Sequence, residues 1–180
     1  MNVRIIAGRF GGRTIKSPDS FKTHPMSERA RSAIFNIIGS EMVDAYVLDA
    51  FAGTGALGLE SLSRFARRVV FIERDRKASM MLAENIETLG AANSVVAVTA
   101  GLGGWLETRD DSERFDVVFS DPPYNLPQWG LVQRLTDLLN DGGLMVVSYA
   151  SGTKLPELKG VVLEDKREYA GATIVFYRKA

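Results

Sequence analysis

The chain has no cysteine and one histidine, His24. The lack of thiols excludes a disulfide framework and a thiolate metal site. No apolar run approaches the ~20 residues that cross a bilayer. The N-terminus lacks the charged-then-apolar pattern of a signal peptide. Repeats, low-complexity tracts and long linkers are also missing. These absences lead us to expect a cytoplasmic protein with no membrane partner; a monomer with no metal is also expected. Lysine plus arginine equal aspartate plus glutamate at 22 each, and a net charge of zero argues by itself against a strong nucleic-acid binder.

The 180 residues are 46% hydrophobic and 24% charged, enough for one domain with a substantial core. We expect a single domain over 1–180, with 1–26 a basic N-terminal arm or hairpin and 27–180 the catalytic α/β core. Charge is unevenly placed. Arg4, Arg9, Arg13, Lys16, Lys22, Arg29 and Arg31 stand against Asp19 and Glu28, seven against two, so residues 1–31 carry +5 and the remainder −5. A basic arm on an acidic body is the footprint of a face that meets phosphates.

Two short β-like pieces, Val3–Ala7 and Arg13–Lys16, flank Gly8, Gly11 and Gly12 and predict a small hairpin. Ser27 reads as a helix N-cap, followed by the apolar stripe Ala30, Ile34, Phe35, Ile37 and Ile38, with Gly39 as the stop. From residue 45 strands and helices alternate. Strands are expected at 46–49, 68–73, 94–99, 115–120 and 144–149. Helices are expected at 56–65, 76–89, near 104–108, and at 128–140. The pieces 161–169 and 173–178, joined at Ala170-Gly171, read as a terminal hairpin. Repeated βα units imply a doubly wound, mostly parallel seven-stranded sheet with an antiparallel C-terminal hairpin and a small N-terminal β arm. Ligands of such sheets sit beyond the strand C-termini, where Asp49, Glu73, Thr99-Ala100 and Asp121 all fall.

Gly53-Thr54-Gly55-Ala56-Leu57-Gly58 matches the glycine spacing of a nucleotide-binding turn, and Glu73 follows Gly53 by 20 residues, where a carboxylate can accept both hydroxyls of a ribose. Asp49, just before the loop, separates two cofactor classes. A carboxylate there repels a pyrophosphate but suits S-adenosylmethionine, with its sulfonium and ammonium. The candidate cofactor residues here are Asp49, Ala50, Phe51, Ala52, Gly53, Thr54, Gly55 and Glu73, with Arg74 and Asp121 at neighbouring strand ends.

Asp121-Pro122-Pro123-Tyr124 ends the buried run Phe115–Ser120. An exocyclic base amine is a poor nucleophile because its lone pair is delocalised into the ring. Two acceptors on its two N–H bonds pull it toward tetrahedral geometry, and the Asp121 carboxylate and Pro122 carbonyl can supply them. Tyr124 can stack on the base. These four residues form the candidate catalytic set of an amino methyltransferase.

With these residues in place the chain resembles the bacterial 16S ribosomal RNA guanine-N2 methyltransferase family (RsmD-like). The likeness runs through Arg4-Ile5-Ile6-Ala7-Gly8, Gly12-Arg13, Pro25–Arg31 before Phe35-Asn36, Leu48–Glu60 and Asp121–Tyr124. It implies a Rossmann-like fold and S-adenosylmethionine as cofactor. It also implies methyl transfer to guanine N2 in 16S rRNA, within the small ribosomal subunit or its assembly intermediate. The arm would touch RNA through Arg4, Arg9, Arg13, Arg29 and Arg31. Arg29 could instead pair with the cofactor carboxylate. The chain departs from the family at two places. His24-Pro25-Met26 stands where Arg-Pro-Thr is usual, and His24 is read as a polar loop residue. Ala100-Gly101-Leu102 lacks the acid or amide that usually meets the adenine amine, which leaves backbone and apolar contacts there. Amino methylation of DNA adenine or protein glutamine, and a catalytically silent RNA-binding assembly factor, remain open alternatives.

Overall fold

The computed structural model describes residues 2–18 and 26–180. His24 and Pro25 lie outside the described residues, as do Asp19 and Lys22 of the arm. The chain opens with β1 (Asn2–Arg4) and β2 (Thr14–Lys16), an antiparallel pair in which Val3 faces Ile15. Then come α1 (Glu28–Ile38), β3 (Tyr46–Asp49), α2 (Ala56–Ser63), β4 (Arg68–Glu73), α3 (Arg76–Leu89), β5 (Val95–Thr99), α4 (Leu102–Thr108) and β6 (Phe115–Ser120). They are followed by α5 (Trp129–Leu135), β7 (Leu139–Ala150), β8 (Val161–Tyr169) and β9 (Ala172–Lys179).

Seven strands form one sheet in the order β5-β4-β3-β6-β7-β9-β8. The strands β3 to β7 run parallel, and β9 lies antiparallel between β7 and β8. Side chains alternate across such strands, and the alternation divides the core in two. Val47, Phe119, Val146 and Ile174 meet α1, α2, α3 and the N-terminal arm on one face. Leu48, Val118, Met145 and Val175 meet α4 and α5 on the other.

Gly39 is the C-cap of α1, as expected; its φ is −55° and the chain continues into a 3₁₀ turn over Gly39–Glu41. Several other boundaries shift. The helix expected over 128–140 ends at Leu135, passes through a 3₁₀ turn at Thr136–Leu138, and gives way to β7 at Leu139. The first arm strand covers Asn2–Arg4 rather than reaching Ala7.

The arm is tied down by one buried acid. Glu60 on α2 is fully buried and accepts the Ile6 and Ala7 backbone N–H groups at 2.7 and 3.1 Å. Arg64 Nε donates to it at 2.8 Å, and Arg31 Nη1 of α1 lies 3.8 Å away. Arg31 is 1% exposed and its Nη2 donates to the Arg4 carbonyl at 3.0 Å. Removing one partner of a buried ion pair strands the other charge. Glu60→Ala is therefore expected to destabilise the protein by about 3 kcal/mol or more, read as a lowered urea midpoint; a loss under about 1 kcal/mol would contradict this anchoring role.

Candidate active site

The strand order reverses between β3 and β6, because β3 leads on to β4 on one side and has β6 on the other. That switch point opens a crevice at the strand C-termini. Asp49 ends β3 and Asp121 follows Ser120, the last residue of β6, so the two acids flank it.

The chain leaving β3 is stitched to both neighbours. Ala50 N–H donates to the Phe119 carbonyl and Ala52 N–H to the Ile72 carbonyl, each at 3.0 Å. Two glycines are required sterically. Gly55 has φ +87°, and a Cβ there would lie 2.5 Å from Leu82 Cδ1; a Cβ on Gly58 would lie 2.2 Å from Phe71 Cε1. Their absence of side chains lets α2 settle onto β4 and α3.

This close packing buries Asp49 to 1% exposure. Its Oδ2 accepts the Gly58 N–H at 3.0 Å, while its buried Oδ1 has no hydrogen-bond partner among the described residues. Burial pushes its pKa up to about 7; the Gly58 N–H opposes the rise, and the nearby Asp121 and Glu73 add to it. Half-buried Glu73 accepts the Gly53 N–H and the Asp75 N–H, both at 2.7 Å. It thus braces the glycine loop while each oxygen keeps a further lone pair. Thr54 is buried, Phe51 half-buried, and Arg74 exposed. Gly101 is the N-cap of α4, with nothing within 4 Å of a Cβ built on it, and Leu102 beside it is buried.

Across the crevice, burial raises the Asp121 pKa to about 6, and the nearby Ser148 hydroxyl draws it partly back. The Tyr124 hydroxyl lies 2.7 Å from Ser148 Oγ, and either hydroxyl can be the donor. The Tyr124 phenol is itself raised, by burial first and then by Asp121. Pro122 is buried, Pro123 half-buried, and Tyr124 40% exposed. The four residues therefore present an acceptor, a stiff backbone and a partly exposed ring whose hydroxyl is held.

The arginines expected on RNA divide differently. Arg31 is a correction: buried against Glu60, it has no surface from which to reach a phosphate. Arg4 pairs with Glu28. Arg9 Nε donates to the Leu62 carbonyl at 3.1 Å and Arg13 Nη2 to the Thr88 carbonyl, so these two cap the C-termini of α2 and α3. Arg29 is exposed and has no ion pair or hydrogen bond among the described residues.

Three contributors were not singled out from the sequence. Ser148 is the polar break in the apolar run Leu144–Tyr149, which was the available signal. Asn85 lies on the buried stripe of α3 with Leu82, Ile86 and Leu89. Its amide donates to the Thr54 and Lys16 carbonyls, both at 3.0 Å, and joins the arm to the glycine loop. Glu60 is a lone acid in a helix buried on nearly every side.

Residues 3–178 match the family model described as Conserved hypothetical protein 95. The chain belongs to that family. It is 40% identical over 141 residues to ribosomal RNA small subunit methyltransferase D of Escherichia coli strain K12, covering 78% of this chain and 68% of that one. It is 30% identical to YlbH of Bacillus subtilis strain 168, over 98% of this chain and 99% of the relative. The solved structure of yhhF from Escherichia coli superposes with a TM-score of 0.88 at 31% identity, covering 99% and 98% of the two chains. The protein is thus a member of a methyltransferase family with a Rossmann-like fold. Among the described residues there is no helix long and apolar enough to cross a membrane and no cluster of three or more His, Cys, Asp or Glu placed to hold a metal.

Both rim acids have pKa values raised by folding, so between about pH 4 and 7 the folded protein holds protons that the unfolded chain has released. Their contribution to stability is present below the unfolded pKa and is lost as pH rises through about 6 and 7. Asp49→Asn is expected to raise the melting temperature of the ligand-free protein at pH 8 by a few degrees and to flatten its pH profile. An unchanged profile would contradict the buried, unpaired state of Asp49.

Proposed function

We propose that this protein transfers a methyl group from S-adenosylmethionine to the exocyclic N2 amine of a guanine in small-subunit ribosomal RNA. The observation that carries the reading is the pair of rim acids, above all the partnerless Asp49 Oδ1. A buried acceptor with one lone pair used and the other oxygen empty calls for a donor or a cation. The cofactor's positive charges meet that need, and the pyrophosphate of a dinucleotide does not. Glu73, fixed by Gly53 and Asp75, has lone pairs left for ribose hydroxyls. When bound, the cofactor supplies a methyl group activated by a positively charged sulfur.

The remaining work belongs to the chain. Asp121, with a pKa of about 6, is mostly ionised at neutral pH and accepts one N–H of the target amine. The Pro122 carbonyl accepts the other, which restores pyramidal character to the nitrogen. The Tyr124 ring, held through Ser148, stacks on the base. Asp121 Oδ can take the proton shed by the methylated nitrogen, because its pKa lies close to neutrality. The RNA partner is the small subunit or an assembly intermediate, met by a cytoplasmic monomer.

The test is labelled-methyl transfer to small ribosomal subunits that lack this modification, followed by nucleoside mass spectrometry. The expected product is N2-methylguanosine. Asp121→Ala should lower the rate by roughly 100-fold or more while cofactor affinity stays within a few-fold, and Tyr124→Ala should lose roughly tenfold through stacking. Label found in adenine, DNA or protein would overturn the proposed target. A separate measurement concerns the adenine end. Gly101 has open space around it, so Gly101→Asp is expected to tighten cofactor binding in calorimetry, and unchanged affinity would show that no acceptor is missing there.

A further inference from the structure

An open groove of about 470 Å³ lies beside the site, lined by Glu28, Arg29, Ser32, Ala33 and Asn36 of α1 and by Tyr169 at the end of β8. Sheet register connects it to the Asp121 rim. Ser148 pairs with Ile174, and Ile174 with Arg167; Ala150 pairs with Ala172, and Ala172 with Tyr169. Paired and alternate residues share a face, so Ser148 and Tyr169 stand on the same side of the sheet, the side where Phe35 of α1 meets the Phe119 ring at 5.8 Å. Two strand spacings of about 4.8 Å and two residues of rise at about 3.4 Å put Tyr169 roughly 12 Å from Ser148. The groove thus lies on the same face of the sheet as Ser148, to the side of the crevice that holds Asp121 and Tyr124.

Its lining has a specific chemistry. Glu28 is neutralised by Arg4, which leaves Arg29 as the uncompensated charge. Tyr169 is half-buried, its apolar part packed against the core. Ser32 and Asn36 add hydrogen-bonding groups, and among the described lining residues Ala33 is the one aliphatic side chain, so the described lining favours a polar, aromatic-stacking ligand over an apolar one. A guanidinium for a phosphate, an aromatic face for a base and an amide for a base edge are the components of a single-stranded RNA subsite.

We infer that this groove binds a single-stranded nucleotide flanking the methylated base, with Arg29 on its phosphate and Tyr169 against its base. The inference rests on the RNA reading above and deepens it: the enzyme would grip the strand at two places, the target at Asp121–Tyr124 and a neighbour at Arg29–Tyr169.

The experiment is fluorescence anisotropy with a short single-stranded RNA of adenine and uracil only, which contains no guanine to methylate. Tyr169→Ala and Arg29→Ala should each weaken binding about tenfold, and Arg29→Ala should reduce the salt slope by about one. Tyr169→Phe should bind like the unaltered protein. Cofactor affinity should not change, and on small subunits the alanine variants should raise KM with kcat preserved. The inference is overturned if the unaltered protein does not bind this RNA, or if both alanine variants bind it equally well. A wrong methylation target would show instead as absent N2-methylguanosine with the anisotropy differences intact.

Discussion

The active rim depends on how Asp49 is buried. Gly55 and Gly58 let α2 approach so closely that added methyl groups would collide with Leu82 and Phe71. That approach brings the Gly58 N–H onto Asp49 Oδ2 and seals the carboxylate from water, with Oδ1 unmatched. An unmatched buried acceptor costs stability unless a ligand completes it. Its position at the switch point, facing Asp121 across the β3–β6 reversal, supports the proposed role of a place for positive charge.

A second buried acid, two residues further along α2 than Gly58, anchors the N-terminal arm. Glu60 collects the backbone of the arm, Arg64 and Arg31, while Arg9 and Arg13 cap helix ends. Among the described residues of this stretch, much of the basic charge thus holds the arm to the body, and Arg29 beside the groove is the arginine whose side chain has no ion pair or hydrogen bond. Two residues apart in the first turn of α1, Arg31 is buried in the architecture and Arg29 is exposed.

How much of this was legible follows from local against tertiary causes. The strands at 46–49, 68–73 and 115–120 are continuous apolar runs that only a buried parallel strand satisfies, and they fall where expected. Asp49 and Asp121 were found because strand-end position is a local property. Arg31 was misread because charge suggests surface, although its spacing to Ile34, Phe35 and Ile38 places it on the buried stripe of α1, and the acid that receives it is 29 positions away. The end of α5 was missed because Leu138 and Leu139 continue a helical pattern. Within β7, Gly142 at φ +71° and Gly143, packed against the Asn140, Phe115 and Asp116 carbonyls, accompany a register shift against β6, which is a tertiary fact. Ser148 acquires its role only when β7 is laid beside β6.

The central claim is that Asp49 Oδ1 awaits a cation, and the direct test is calorimetric binding of S-adenosylmethionine from pH 5.5 to 8.5. With a pKa of about 7, Asp49 should weaken binding about tenfold for each unit below that value as it protonates, and Asn at this position should bind weakly with no such slope. A wild-type affinity that stays flat across this range, or an Asn variant that binds as tightly as the wild type, would contradict the account.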